Sequence, residues 1–274
     1  MEHRGRRSED RRVVFLDSGI GGIPYFRHFR ERNPAQGAAY VADRLHFPYG
    51  KRGREELCAI LFELVDKIAR ALDPEVIALA CNSASIAALA ALRERFPALT
   101  FVGTVPAVKP AALATKTGKI GVLGTELTVR ESYIRELGAQ NGGCEIVALA
   151  APELVEFVET RLDRAGEGER RQAARRYLDR LRAVGADALV LGCTHFLLLL
   201  EEFRQEAQPD IAVFDSIDGI SRRVESLLAQ SANSLDEKDR APGSLLLTGA
   251  DAPEPSWEVW AQRLGCELAL LENA

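Results

Sequence analysis

Residues 77–83 read IALACNS and residues 189–195 read LVLGCTH. Each is a short apolar run that ends on a cysteine followed by hydrogen-bonding side chains. Runs of this length and composition read as strands buried on both faces of a parallel sheet. Working outward from them, similar runs recur along the chain: VVFLD, AAYVAD, EVIALAC, LTFVGT, KIGVLGT, EIVALA, DALVLGC, IAVFDS, SLLLTG and CELALLE. Longer stretches with helical spacing separate them, such as REELCAILFELVDKIARAL (54–72) and GERRQAARRYLDRLRAV (168–184), whose charges fall on a solvated face. Strands alternating with helices predict an α/β fold with parallel sheets.

The chain also resembles itself in layout. From Asp17, in the turn DSGIGG (17–22), to Cys81 is 64 positions, and from Thr125, in GTELT, to Cys193 is 68. Two half-chains, each with a polar turn first and a strand-end cysteine second, predict two similar doubly wound α/β domains related by a pseudo-twofold, with the active site in the cleft between them. The strands from IAVFDS onward exceed what the second half needs. The tail is therefore expected to return to the first domain. This gives a discontinuous first domain, 1–103 plus 217–274, around a second, 104–216, with SANSLDEKDRAPG (231–243) as an exposed loop on the return.

Composition narrows the function. At 274 residues the core is not limited by size, and 47% hydrophobic with 27% charged residues is the make-up of an ordinary globular protein. A formal charge of −5 gives no general reason to expect nucleic acid or a membrane surface as partner, so a small molecule is expected. No stretch of 18 apolar residues appears, and the basic start MEHRGRRSEDRR leads into an apolar run too short for a signal core, which predicts a cytoplasmic protein. The basic dozen suggests no function and is expected to be disordered. Five cysteines are an odd number, without C-x-x-C spacing, so neither disulfides nor a structural zinc are expected.

In parallel sheets, ligands bind beyond the carboxyl ends of the strands. Cys81 and Cys193 stand there, each ahead of a segment expected to be helical, whose N-terminus favours a thiolate. A cysteine outside a disulfide is by default a small buried hydrophobe, and Cys58, Cys144 and Cys266 take that reading. Two cysteines at equivalent places, followed by Asn82 and Ser83 in one case and by Thr194 and His195 in the other, point instead to acid/base or nucleophilic chemistry. His195, two residues past Cys193, is a candidate acid/base helper. Asp17 is its counterpart beside Cys81. The glycines of DSGIGG admit a ligand to the backbone but lack dinucleotide-site spacing, which leaves a carboxylate or amine as the favoured occupant. HFPYG (46–50), read alone, is a structural turn. Glu153 and Glu159, in PELVEFVET, lean towards ordinary surface carboxylates. Cys81, Cys193 and His195 lack the spacing of metal ligands.

Taken in order, FLDSGIGG, FPYG, ACNSAS, GTELTVRESY and LGCTHFLLL resemble the cofactor-independent glutamate racemases of the aspartate/glutamate racemase superfamily, from about residue 13 to TGADAPEP. The resemblance implies racemisation of glutamate without a cofactor, supply of D-glutamate for peptidoglycan, and a possible homodimer. It implies that Cys81 and Cys193 are the two catalytic cysteines, acting on D- and L-glutamate respectively, assisted by Asp17 and His195. Ser18, Pro48, Tyr49, Gly50, Asn82, Ser83 and Thr194 match substrate-binding positions, as do Thr125 or Thr128 and Glu159 less closely.

The chain departs from the family beside these motifs. Ser83 stands where a threonine is usual, VADRLHFPYG replaces GDTARxPYG at Ala42, Arg44, Leu45 and His46, and Phe196 and Leu197 replace the Tyr-Pro of CTHYP. DSID stands where DSG is usual. Such flanks keep open a related two-cysteine racemase or epimerase acting on aspartate or another amino acid; a non-catalytic small-ligand binder is the alternative from another class, and the intact pair Cys81 and Cys193 argues against it.

Overall fold

A computed structural model describes residues 13–130, 132–229 and 243–273. The basic N-terminal dozen, and the loop expected at 231–243 except for its last residue, lie outside them. The chain divides into two compact units, Met1–Thr104 with Ile217–Ala274, and Val105–Ser216.

The first unit opens with β1 (Val13–Asp17), α1 (Ile23–Arg32), β2 (Ala38–Ala42), α2 (Arg54–Leu72), β3 (Val76–Leu79), α3 (Asn82–Arg95) and β4 (Thr100–Gly103). The second unit holds α4 (Val108–Ala114), β5 (Lys119–Gly124), α5 (Glu126–Arg130), α6 (Ser132–Gln140), β6 (Glu145–Ala150), α7 (Pro152–Thr160), α8 (Glu167–Ala183), β7 (Ala188–Leu191), α9 (Leu200–Ala207) and β8 (Ala212–Phe214). The chain then returns to the first unit with α10 (Ile217–Leu228), β9 (Gly243–Leu247), α11 (Pro255–Leu264) and β10 (Cys266–Leu270). All ten apolar runs read from the sequence are strands. IAVFDS (211–216) belongs to the second unit. Its short strand β8 pairs with β7 as the edge of the second unit's sheet, and the return begins only with α10.

The first unit's sheet has the order β10-β9-β2-β1-β3-β4 and the second unit's β6-β5-β7-β8, with every pair parallel. Numbered within its own unit, each contains the same four-strand order, second-first-third-fourth. This is the doubly wound arrangement, in which the chain passes from the second strand across the first to the third, so successive connections run to opposite sides. The central strands β1, β2 and β9 are buried at every residue, which is why their sequences are continuous apolar runs rather than alternating ones.

Helices cover these sheets with the faces their spacing sets. α2 buries Leu57, Leu61, Leu64, Val65, Ile68 and Leu72, one stripe of a 3.6-residue period. Beneath α1, Phe15, Phe26, Phe29 and Tyr40 pack ring against ring at 5.4–5.9 Å. In the second unit Val108, Ile120, Val122, Ile134, Ala188 and Val190 form a core cluster between strands and helices. No described helix is long and apolar enough to cross a membrane.

Candidate active site

In a doubly wound sheet the loops diverge beyond the strand ends where the order reverses, opening a crevice there. In the first unit that point lies between β1 and β3, which pair side by side. β1 ends on Asp17, and β3 runs through Ala80 into Cys81. Asp17 is fully buried, and its Oδ1 accepts hydrogen bonds from Ser18 N–H at 2.5 Å and Gly19 N–H at 3.2 Å. Tyr40 Oη donates to Gly19 O at 2.7 Å and accepts from Gly22 N–H at 3.1 Å, pinning the DSGIGG turn to β2. Gly22 is required there by space: a Cβ would stand 2.7 Å from Ala80 Cβ and 2.8 Å from Ala80 O. The turn thus lies directly against the strand end that carries Cys81.

Cys81 is the residue before α3, and its carbonyl accepts the helix's first hydrogen bond from Ser85 N–H at 2.9 Å. Ser85 Oγ donates to the same carbonyl at 2.9 Å and accepts from Thr104 N–H at 2.9 Å, so one hydroxyl ties β3, α3 and the end of β4 together around the cysteine. Asn82 and Ser83 are buried beside it. Neither polar atom of the Asn82 amide has a hydrogen-bond partner among the described residues. A buried amide left so costs roughly 1–3 kcal/mol, which marks the position as one that gains from a polar ligand.

The turn after β2 completes this half. Tyr49 is buried between the half-buried Pro48 and Gly50, and its Oη donates to Asp43 Oδ2 at 2.6 Å. Burial, then Asp43, then Cys81 and Asp17 hold its phenol well above the ordinary tyrosine range. The hydroxyl keeps its proton, and it feels both candidate acid/base groups.

In the second unit the same place between β5 and β7 is occupied by Cys193, one residue past Gly192. Cys193 Sγ lies 3.7 Å from His195 Nδ1, and His195 Nε2 lies 2.6 Å from Glu159 Oε1. The 3-10 turn Thr194–Leu199 carries His195, and α7, packed against it, carries Glu159. Burial opposes charge on the imidazole, but its bonds to Cys193 and Glu159 outweigh that and hold His195 well above the ordinary histidine range. His195 is therefore a charged donor facing the sulfur. Thr194, the residue after Cys193, is buried, as is Thr128, and Thr125 Oγ1 accepts from Thr128 N–H at 3.2 Å, capping α5.

Three expectations change. The segment after Cys193 begins as a 3-10 turn, not an α-helix, so that cysteine has a charged histidine where Cys81 has the N-terminus of a fourteen-residue helix. Glu159 is not a surface carboxylate, being engaged with His195, whereas Glu153 is exposed and reaches Arg176 at 3.8 Å. Cys58, Cys144 and Cys266 are half-buried instead of core residues, each with its sulfur near a backbone carbonyl at 3.3–3.6 Å, while Cys81 and Cys193 are the buried pair. Asp43 and Ser85 went unread in the sequence. Asp43 carried a signal, a carboxylate directly at a strand's carboxyl end; Ser85 carried only its place one helical turn after Cys81.

The chain is similar to known proteins. The pattern of the Asp/Glu/Hydantoin racemase family matches residues 26–222. A glutamate racemase of Sphingopyxis alaskensis is 39% identical over 223 residues, 80% of this chain and 82% of the relative. That of Treponema pallidum (strain Nichols) is 38% identical over 219 residues, 80% of this chain and 81% of the relative. Among solved structures, Escherichia coli glutamate racemase in complex with L-glutamate and the activator UDP-MurNAc-Ala is 34% identical with a TM-score of 0.81, over 95% of this chain and 97% of that one. With the family's pattern spanning most of both units and both strand-end cysteines inside it, the chain belongs to the Asp/Glu/Hydantoin racemase family.

Proposed function

We propose that the protein interconverts L- and D-glutamate by removing the α-proton on one face and returning a proton on the other, without a cofactor. The observation that carries this reading is the pair of buried cysteines at equivalent strand ends, each with its own acid/base neighbours. A proton next to a carboxylate is lost only if a base meets it on one face, and inversion requires an acid on the opposite face. Cys193 in its thiolate form takes the proton from L-glutamate, and the Cys81 thiol delivers its own to the other face. The product is D-glutamate, with Cys81 now thiolate and Cys193 thiol; the reverse reaction restores the first state.

The neighbours fit these roles. His195, charged and 3.7 Å from Cys193, donates to sulfur as negative charge forms there and is held in register by Glu159. Asp17 plays the corresponding part for Cys81. Donors from Asn82, Ser83 and Thr194 would hold the substrate carboxylate as charge builds on the carbanion, with Ser18, Thr125 or Thr128 and the turn Pro48–Gly50 taking the rest of the molecule. The relatives' substrate supports glutamate. Supply of D-glutamate for peptidoglycan, a cytoplasmic location and a homodimer belong to the same reading.

Incubation of the protein in deuterated buffer with each enantiomer of glutamate tests it. Exchange at the α-carbon and racemisation are both expected, and Cys81→Ser and Cys193→Ser should each lower racemisation by about 10³-fold or more through loss of an essential acid/base group. Turnover of aspartate but not glutamate would move the substrate to the alternative that the altered residues 44–46 leave open.

A further inference from the structure

Asp43 is a buried carboxylate that the proposed reaction does not use. It is 0% exposed, directly after β2, and gathers donors from three places. Tyr49 Oη donates to Oδ2 at 2.6 Å, Thr248 Oγ1 donates to Oδ1 at 2.7 Å, and His46 Nδ1 lies 2.9 Å from Oδ2 and 3.0 Å from Oδ1. Its own N–H donates to Asp17 O at 2.8 Å, so the residue is fastened to the end of β1 as well. Thr248 follows β9, 205 positions later in the chain, and Arg44 reinforces the same junction by donating from Nε to Thr248 O at 2.8 Å and from its terminal nitrogens to the carbonyls of Asp251 and Ala252. Leu45 N–H adds a bond to Thr248 Oγ1 at 3.3 Å.

We infer that Asp43 is a positioning residue of the Cys81 half-site, acting through Tyr49: it accepts the hydrogen bond from the phenol and locks the Pro48–Gly50 turn between Asp17 and the Thr248 loop. This rests on the racemase reading. A carboxylate can accept from Tyr49, His46 and Thr248 together because it has two oxygens and no hydrogen, whereas an amide of the same size has one acceptor oxygen and must turn a donor towards one of these donors. Asp43→Asn therefore displaces the tyrosine while preserving volume. With its hydrogen committed to Asp43, Tyr49 presents only acceptor lone pairs to anything else it meets, which suits an ammonium group and not a carboxylate.

The expected result separates the two directions of the reaction. Misplacing the wall of a reacting group by about 1 Å costs on the order of 10²-fold, and here the cost falls on proton transfer at Cys81. In Asp43→Asn, kcat should fall about 10-fold to 100-fold on that basis. The primary isotope effect should rise for D-[2-²H]glutamate, whose proton Cys81 removes, and fall for L-[2-²H]glutamate, whose proton Cys193 removes. A general loosening of the fold would not separate the two. Tyr49→Phe should reproduce the asymmetry, and the double variant should lose no more than about twofold beyond Asp43→Asn, since the two act as one unit. Should Asp43→Asn not fold, Tyr49→Phe decides by the same isotope measurement. Equal changes for both enantiomers, or single effects that multiply in the double variant, overturn the inference while the parent's turnover stands. No turnover by the parent overturns the racemase reading and this inference with it.

Discussion

His195 is a buried base that two neighbours keep charged, and that has a consequence for stability as well as for chemistry. Its pKa is raised in the folded chain over the unfolded value of about 6.5. Such a group stabilises fully below the unfolded pKa, and the stabilisation is lost as pH rises through the folded pKa. Glu159→Gln keeps the shape of the partner but removes its charge. The variant should lower the His195 midpoint followed by NMR. Its deficit in urea stability against the parent should be largest below about pH 6.5, and should shrink as pH rises through the folded midpoint of His195. An unchanged midpoint would rule out Glu159 as the source of the shift. The His195 half was legible in the sequence because its key residues lie two positions apart in GCTH. The Asp43 cluster was not, because Thr248 is 205 positions away and a hydrogen bond across that separation leaves no local pattern.

Elements were more legible than contacts. Ten strands follow from ten apolar runs because burial on both sheet faces imposes the pattern, and α2 follows from its stripe of leucines. The turn after Cys193 escaped the same reading: FLLLLEEF is apolar at every early position, so nothing in it separates a 3-10 turn from an α-helix. What joins elements depends on close approach, and the test lies at Gly22. Alanine there puts a Cβ 2.7 Å from Ala80 Cβ and 2.8 Å from Ala80 O, neither of which can swing aside. Gly22→Ala should cost about 1–3 kcal/mol, the range for overpacking, and should depress activity further by pushing the Asp17 turn from the Cys81 strand end. Gly53 precedes α2 at φ −70° with nothing within 4 Å of a Cβ, so Gly53→Ala should stay within about 0.5 kcal/mol of the parent. Chemical denaturation of both variants checks the pair, and equal losses would refute the crowding argument.

At the scale of the whole molecule, the two units repeat one strand order but close it differently. The second is continuous, from Val105 to Ser216, with β8 as a three-residue edge. The first borrows α10, β9, α11 and β10 from the chain's end, and β9 pairs with β2 along its full length. The repeat was readable from spacings that match to within a few residues. The place of β8 at the edge of its sheet was not, since a short strand carries no mark of its neighbours. This asymmetry fixes what truncation does. A chain ending at Ser216 leaves β2, buried at all five residues in the intact protein, as an uncovered apolar edge with unpaired backbone groups, the surface on which strands of other chains pair. Residues 105–216 alone keep every strand of their sheet and the core cluster of Val108, Ile120, Val122, Ile134, Ala188 and Val190. Expressed separately, 105–216 should show helical circular dichroism and a cooperative melt, while 1–216 should aggregate. Adding residues 217–274 as a second polypeptide should restore soluble 1–216 by supplying β9 to β2. A soluble, cooperatively melting 1–216 on its own would mean that the first unit is complete without its returning strands.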